Sequence, residues 1–311
     1  MRVLIAEDDI LLTKLMDTLV RRVSGCEVIT ATGKIADVLR QIDEISTIPQ
    51  IVVRFIETSN DPDASMEDLQ EIVKCDPAMA SRILRLVNSS AFGVRSRITN
   101  LQQAIGYLGI KQVRNLVVAI SVSNLFRTHG CLENYERIKL WKHMVSVAIC
   151  SRLIANMSRA PDAEEYFLAG LLHDVGIVLE DQFIHQPFCR LIKSLDEERT
   201  LSECEHDWFH FDHAMLGEAV ARQWLFPEAV CAAIRHHHQS EAYSGEDALI
   251  VRTVELANSV CSQMGITSVG VNLVRDVTPA KLDIPMSAEA LRELISQLQE
   301  EIHRAAGLIE L

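Results

Sequence analysis

SMEDLQEIVKCDPAMASRILRLV, residues 65–87, is the stretch from which the rest of the chain can be read. Ser65 followed by Asp68 makes a capping box that opens a helix through Leu69, Ile72 and Val73. Asp76-Pro77 then supplies an N-cap and a first-turn proline for a second helix, which carries Met79, Ile83, Leu86 and Val87 on one face. The apolar period is helical, and the stop and start signals are local.

The same pattern runs on toward the C-terminus. Thr99 with Gln102 reads as another capping box, and Gly109 is placed to stop that helix before an apolar run from Val113 to Phe126. Further helices are expected around Trp141–Met157, Ala163–Leu172, His213–Trp224, Pro227–His237, Ala248–Met264 and Ala288–Ala306. The last carries Leu291, Leu294, Ile295, Leu298 and Ile302 on one side, a stripe that suits packing against the body or a homodimer interface. No substantial sheet is expected between Ser65 and Met264.

Toward the N-terminus the character changes. Val3–Ala6 is a buried-strand pattern ending in Glu7-Asp8-Asp9, and Leu11 to Val20 has helical spacing. Gly25 closes that helix, Glu27–Thr30 reads as a second strand, and Ile35 to Ile42 as a second helix. The expected fold is therefore mostly α, a helical bundle over residues 46–311 preceded by a small βαβα segment over residues 1–45.

Bulk properties narrow the function. The 311 residues are 48% hydrophobic, ample for a packed core. Thirty Lys and Arg against 43 Asp and Glu give a net charge of −13, the wrong sign for neutralising nucleic-acid phosphates or anionic lipid. No apolar run reaches membrane-spanning length, so the chain reads as soluble and cytoplasmic, with neither nucleic acid nor membrane as a main partner. The eight cysteines are scattered without a CxxC pair and read as reduced, mostly core thiols. Trp141, Trp208 and Trp224 are too dispersed for a base-stacking platform; Trp141 and Trp224 read as core anchors.

His143, His173-Asp174, His213 and His236-His237 lie on or at the ends of separate expected helices, the way a bundle collects ligands from facing elements. Imidazole nitrogen with carboxylate oxygen suits Fe, Mn or Zn, and a divalent metal there could acidify a bound water for attack on a phosphate ester. The alternative is that these side chains are core or capping groups satisfying buried backbone. His185, His206, His210 and His238 read as surface or loop groups.

From Ser46 to about His238 the chain resembles the HD-related output domain (HDOD) family. The likeness rests on Ile48-Pro49-Gln50, Asp76-Pro77, Asn88-Ser89, Phe92-Gly93, ITNLQQAIGYLG at 98–109, Arg114-Asn115-Leu116, Trp141-Lys142-His143, AGLLHDVG at 169–176, Asp212-His213 with Gly217, Trp224, Pro227 and His236-His237. The resemblance implies an α-helical bundle related to HD-type metal phosphohydrolases and a regulatory role rather than an enzymatic one, with a signalling protein or a nucleotide-type ligand as partner. In catalytic HD proteins, including the HD-GYP phosphodiesterases, the metal ligands are the matching histidines, the HD doublet and one more Asp in a later helix. That position matches Asn258 here, and both the Lys after the doublet and the GYP stretch are missing. The resemblance thus implies His143, His173, Asp174, His213, His236 and His237 as a metal-ligand set with no catalytic residue assigned; a metal-dependent phosphohydrolase is the alternative. The first 45 residues resemble half of a response-regulator receiver, with Glu7, Asp8 and Asp9 matching its acidic cluster and no acceptor Asp following.

Overall fold

Side-chain caps at Ser65 and Asp76 open two helices where the spacing places them. The computed structural model describes residues 2–5, 27–30, 35–45, 49–61, 63–127, 131–132, 135–195, 198–271 and 274–310. Strands β1 (Arg2–Ile5) and β2 (Glu27–Thr30) pair in parallel, and α1 (Ile35–Ile45) follows them. The helix expected between these strands, and the Glu7-Asp8-Asp9 cluster, lie outside the described residues. A parallel pair and one helix are common to many α/β arrangements, so the receiver-like reading of residues 1–45 is not shown by them.

The first helical layer comprises α2 (Gln50–Asn60), α3 (Met66–Lys74), α4 (Pro77–Val87), α5 (Leu101–Leu108) and α6 (Ile110–Ser123). Ser65 accepts from the Asp68 N–H at 3.2 Å while Asp68 accepts from the Ser65 N–H at 2.9 Å, the reciprocal box that the sequence predicts. Asp76 accepts from the Met79 N–H at 3.0 Å, with Pro77 at the first helical position. The next cap sits one residue beyond its predicted place: Asn100, not Thr99, accepts from the Gln103 N–H at 2.9 Å, and Thr99 instead donates its own N–H to Gln103 Oε1. Gly109 joins α5 to α6 at φ 87, which only glycine adopts without strain. From Val113 onward α6 is buried on every side, so it forms the spine of this layer.

A two-residue ladder, β3 (Cys131–Leu132) against β4 (Tyr135–Glu136), leads into α7 (Arg137–Met157). It is the only strand pairing among the described residues after position 45, and it closes a turn rather than building a sheet. The second layer is built around α7 and α8 (Ala163–Leu172), which pack closely because Gly170 has no Cβ: one there would fall 2.8 Å from the Val147 carbonyl oxygen. It continues through α9 (Val175–Phe183), α10 (His185–Ser194), α11 (Leu201–Phe209), α12 (His213–Gln223), α13 (Glu228–His236) and α14 (Ala248–Gln263). Helix α1 lies against α9 and α12.

The amphipathic final helix, α15 (Ala288–Arg304), packs its Leu294 and Leu298 into the core alongside α7, and the short α16 (Ala306–Ile309) follows. Trp141 Nε1–H donates to the Leu308 carbonyl at 3.1 Å, tying this C-terminal segment to α7. Trp141 and Trp224 are both buried, as anchors should be. Among the described residues no helix is long and apolar enough to cross a membrane.

Candidate metal centre

Helix ends deliver the site. His143 projects from the second turn of α7, His173 and Asp174 stand at the junction of α8 and α9, His213 is the first residue of α12, and His237 and His238 follow the end of α13. Asp212 caps α12 by accepting from the Met215 N–H at 2.8 Å, which fixes where His213 starts. Gly176 permits the final approach. A Cβ there would lie 2.0 Å from the His213 carbonyl oxygen, so α9 and the start of α12 meet backbone to backbone.

Asp174 is at the centre. Its Oδ2 lies 3.5 Å from His143 Nε2 and 3.3 Å from His173 Nε2, while its Oδ1 lies 3.4 Å from His213 Nε2 and 3.3 Å from His237 Nε2. The carboxylate therefore faces two groups of ligand atoms, one with each oxygen: His143 and His173 on one side, His213, His237 and His238 on the other. All of these except half-buried His238 are buried.

The tautomers follow from the partners. Nδ1 of His143, His173 and His237 lies 2.7, 2.8 and 2.8 Å from the carbonyls of Ile266, Gly170 and Ile234, so each Nδ1 carries a proton that it donates, and each Nε2 is left to face Asp174. Burial pushes His143 and His237 down to about 4, against the pull of Asp174, and keeps both rings neutral. Three Nε2 atoms, those of His143, His173 and His237, thus face a carboxylate without a hydrogen bond between them, an arrangement that a cation relieves.

His213 is different. Its Nδ1 donates to Glu205 Oε2 at 2.6 Å, and its backbone N–H donates to the same oxygen at 3.0 Å. Burial opposes its charge, but Glu205 and Asp174 together outweigh burial and hold it well above the ordinary imidazole range. Its Nε2 points at His238 Nε2, 2.8 Å away. Burial, with His237 and His213 beside it, keeps His238 neutral and well below its usual value, so His238 accepts. Burial also acts to raise Asp174, yet the surrounding histidines hold it well below the carboxylate range. Without a metal, one proton on His213 supplies the positive charge. Beneath it Glu180, buried beside Glu205 with neither oxygen partnered, is pushed well up and stays protonated.

Of the six residues singled out in the sequence, His143, His173, Asp174, His213 and His237 converge, and His236 does not. Half-buried His236 packs its ring 5.0 Å from that of Tyr243, on the wall of a wide cleft. His238, expected at the surface, takes a place in the cluster instead. In the run His236-His237-His238 neighbouring side chains leave the chain in different directions, so only the register at the end of α13 decides which two face Asp174. Glu205 was not foreseen, because no local motif ties it to His213. Asn258 is buried on α14 and shares with Asp174, His213 and His238 a cavity of about 10 Å³; its Oδ1 accepts from Ser262 at 3.4 Å and its Nδ2 has no partner. His185, His206 and His210 are exposed, as expected.

Residues 45–240 match the HDOD domain. The chain belongs to the HDOD family. An uncharacterized protein of Treponema pallidum is 27% identical over 237 residues, 75% of this chain and 45% of the relative. Bacillus subtilis YuxH is 25% identical over 131 residues, 42% of this chain and 30% of its own length, so this HDOD chain spans less than half of either curated relative. Among solved structures, an HDOD domain protein of unknown function from Geobacter sulfurreducens superimposes with a TM-score of 0.68 at 26% identity, covering 88% of this chain and 98% of that one. A Marinobacter aquaeolei protein provisionally named for signal transduction gives 0.71 at 21%, covering 96% and 65%. A Shewanella amazonensis protein provisionally named a metal-dependent phosphohydrolase gives 0.59 at 18%, covering 88% and 97%. The last two likenesses establish fold alone.

Proposed function

We propose that this HDOD chain is a non-catalytic signal-transduction output module of the cytoplasm, in which divalent metal, one ion or two, held by the two groups of ligands that share Asp174 (His143 and His173; His213, His237 and His238) organises the elements that meet there. The observation that carries the reading is closure. The cavity that touches Asp174 and Asn258 has a volume of about 10 Å³, space for roughly one water, so no phosphate ester fits within it. Asn258 adds to this, since an amide cannot supply the charge of a bridging carboxylate. The signal would pass to a protein partner or a nucleotide-type ligand through movement of the helices that the metal ties together, and α15, packed on the body, leaves self-association to other faces.

The alternative, a metal-dependent phosphohydrolase, is favoured by one feature: an open cleft of about 850 Å³ reaches His238 and Asp212 and contains Arg199, Arg235 and Arg275. Its lining also contains Glu198, Glu203, Asp207 and Asp212, four carboxylates against three guanidiniums, which leaves it no net attraction for a phosphate.

Elemental analysis and hydrolysis of bis(p-nitrophenyl) phosphate separate the two. The purified protein should carry Fe, Mn or Zn and hydrolyse nothing, Asp174→Ala should lose the metal, and Asn258→Asp should hold it more tightly. Metal-dependent turnover that Asp174→Ala abolishes would establish the enzyme instead. Wild-type protein that stays metal-free after reconstitution with all three ions would make the cluster purely structural.

A further inference from the structure

We propose that Cys189 is a nucleophilic thiol, served by His185 and Asp181, and that it reacts reversibly with a small disulfide to become S-thiolated. The three residues stand four positions apart across the junction of α9 and α10, which sets them in a row. No ligand of the metal centre belongs to it, so the proposal does not depend on that reading.

The row has the contacts of a proton relay. Cys189 Sγ lies 3.4 Å from His185 Nε2. On the other side of the ring, His185 Nδ1 lies 2.8 Å from Asp181 Oδ1 and 3.1 Å from the Asp181 carbonyl oxygen. Both oxygens accept, so Nδ1 carries the proton and Nε2 is left to accept from the thiol S–H. Asp181 is itself held: its Oδ2 accepts from Arg137 Nε at 2.5 Å and from the Tyr135 hydroxyl at 3.1 Å, and the residue is 1% exposed. The orienting carboxylate is therefore fixed in the interior, while the imidazole is 53% exposed and the thiol half-buried beside it, within reach of a reagent from solvent. Cys75 gives the contrast, since it is exposed but donates at 3.4 Å to the Glu71 carbonyl oxygen, which cannot take up the proton.

Burial and the Asp181 charge push the Cys189 thiol up, against the pull of Lys193 one turn on, so the resting sulfur keeps its proton. A base in contact with the S–H makes a preformed thiolate unnecessary. As Sγ attacks one sulfur of the disulfide, the thiol proton passes to His185 Nε2, and Asp181 stabilises the imidazolium that results. A bond forms between Sγ and that sulfur while the S–S bond of the reagent breaks, and the leaving thiolate takes the proton back from His185. Cys189 sulfur is oxidised and the leaving sulfur reduced; a free thiol runs the exchange in reverse.

Treatment of the full chain with glutathione disulfide at neutral pH, acid quenching over time and peptide mass spectrometry reads each cysteine separately. Cys189 should gain glutathione roughly tenfold or more faster than the more exposed Cys75, and dithiothreitol should remove it. His185→Gln should slow Cys189 by roughly tenfold or more and leave Cys75 unchanged. Buried Cys150 and Cys261, unmodified in the same sample, report that the variant is folded. If it does not fold, the comparison of Cys189 with Cys75 in wild type decides. Cys189 reacting no faster than Cys75, or at the wild-type rate in folded His185→Gln, would overturn the proposal and leave an ordinary half-buried thiol.

Discussion

His143 and His237 are buried neutral imidazoles, and that state has a consequence for stability. Their folded values lie at about 4, below the 6.5 of an unperturbed imidazole. The unfolded chain therefore takes up these protons first, so the stability that the neutral rings supply is fully present above pH 6.5 and is lost as pH falls toward 4. The loss amounts to about 3 kcal/mol per ring at the acid end. His213 runs the other way: its folded value is raised, so its contribution is complete below the unfolded value and disappears as pH rises through the folded one. Metal-free protein should be most stable between these limits, and urea midpoints measured across the acid range should fall steeply below about pH 6. A flat profile there would mean that the rings are not held neutral.

At the level of helices, the site depends on one close approach. Helix α9 and the first turn of α12 can meet only because residue 176 is glycine, with the His213 carbonyl oxygen 2.0 Å from where a Cβ would stand. Backbone on both sides leaves nothing to swing away. Gly176→Ala should push the two helices apart, cost about 3 kcal/mol or more, and move His213 off Asp174. Thermal denaturation together with metal content checks this. A variant with wild-type metal content and unchanged stability would show that the approach can relax. The C-terminal element behaves differently, since α15 is amphipathic and docks through Leu294 and Leu298 on a body that already has its own core.

Across the whole molecule, two helical layers and a short N-terminal segment differ in what they could do. On the receiver-like reading of residues 1–45, the acidic cluster at Glu7, Asp8 and Asp9 has no acceptor Asp after it in sequence, because the family match begins at residue 45. Incubation with acetyl phosphate and Mg²⁺ should leave the intact mass unchanged, and an added phosphoryl group would show that the segment retains receiver chemistry. The helical layers place the candidate metal centre deep in the second.

The helices with local signals could be read from the sequence, because a capping box, a first-turn proline and a one-sided apolar stripe act within a few residues. Ser65, Asp76 and Leu294 each do in the structure what their spacing predicts. Helix α9 could not be read that way. From Val175 to Asp181 it is buried all round, and a continuous apolar run carries no period from which to infer a helix. The cluster was legible as residue types, His143, His173, Asp174, His213 and His237, because they stand in the motifs that carry the HDOD resemblance, with core or capping histidines as the alternative reading. What tertiary structure alone decided was orientation: that His238 and not His236 faces Asp174, and that Glu205 fixes His213. These are relations between side chains far apart in sequence, set by how whole helices pack, and no local pattern encodes them.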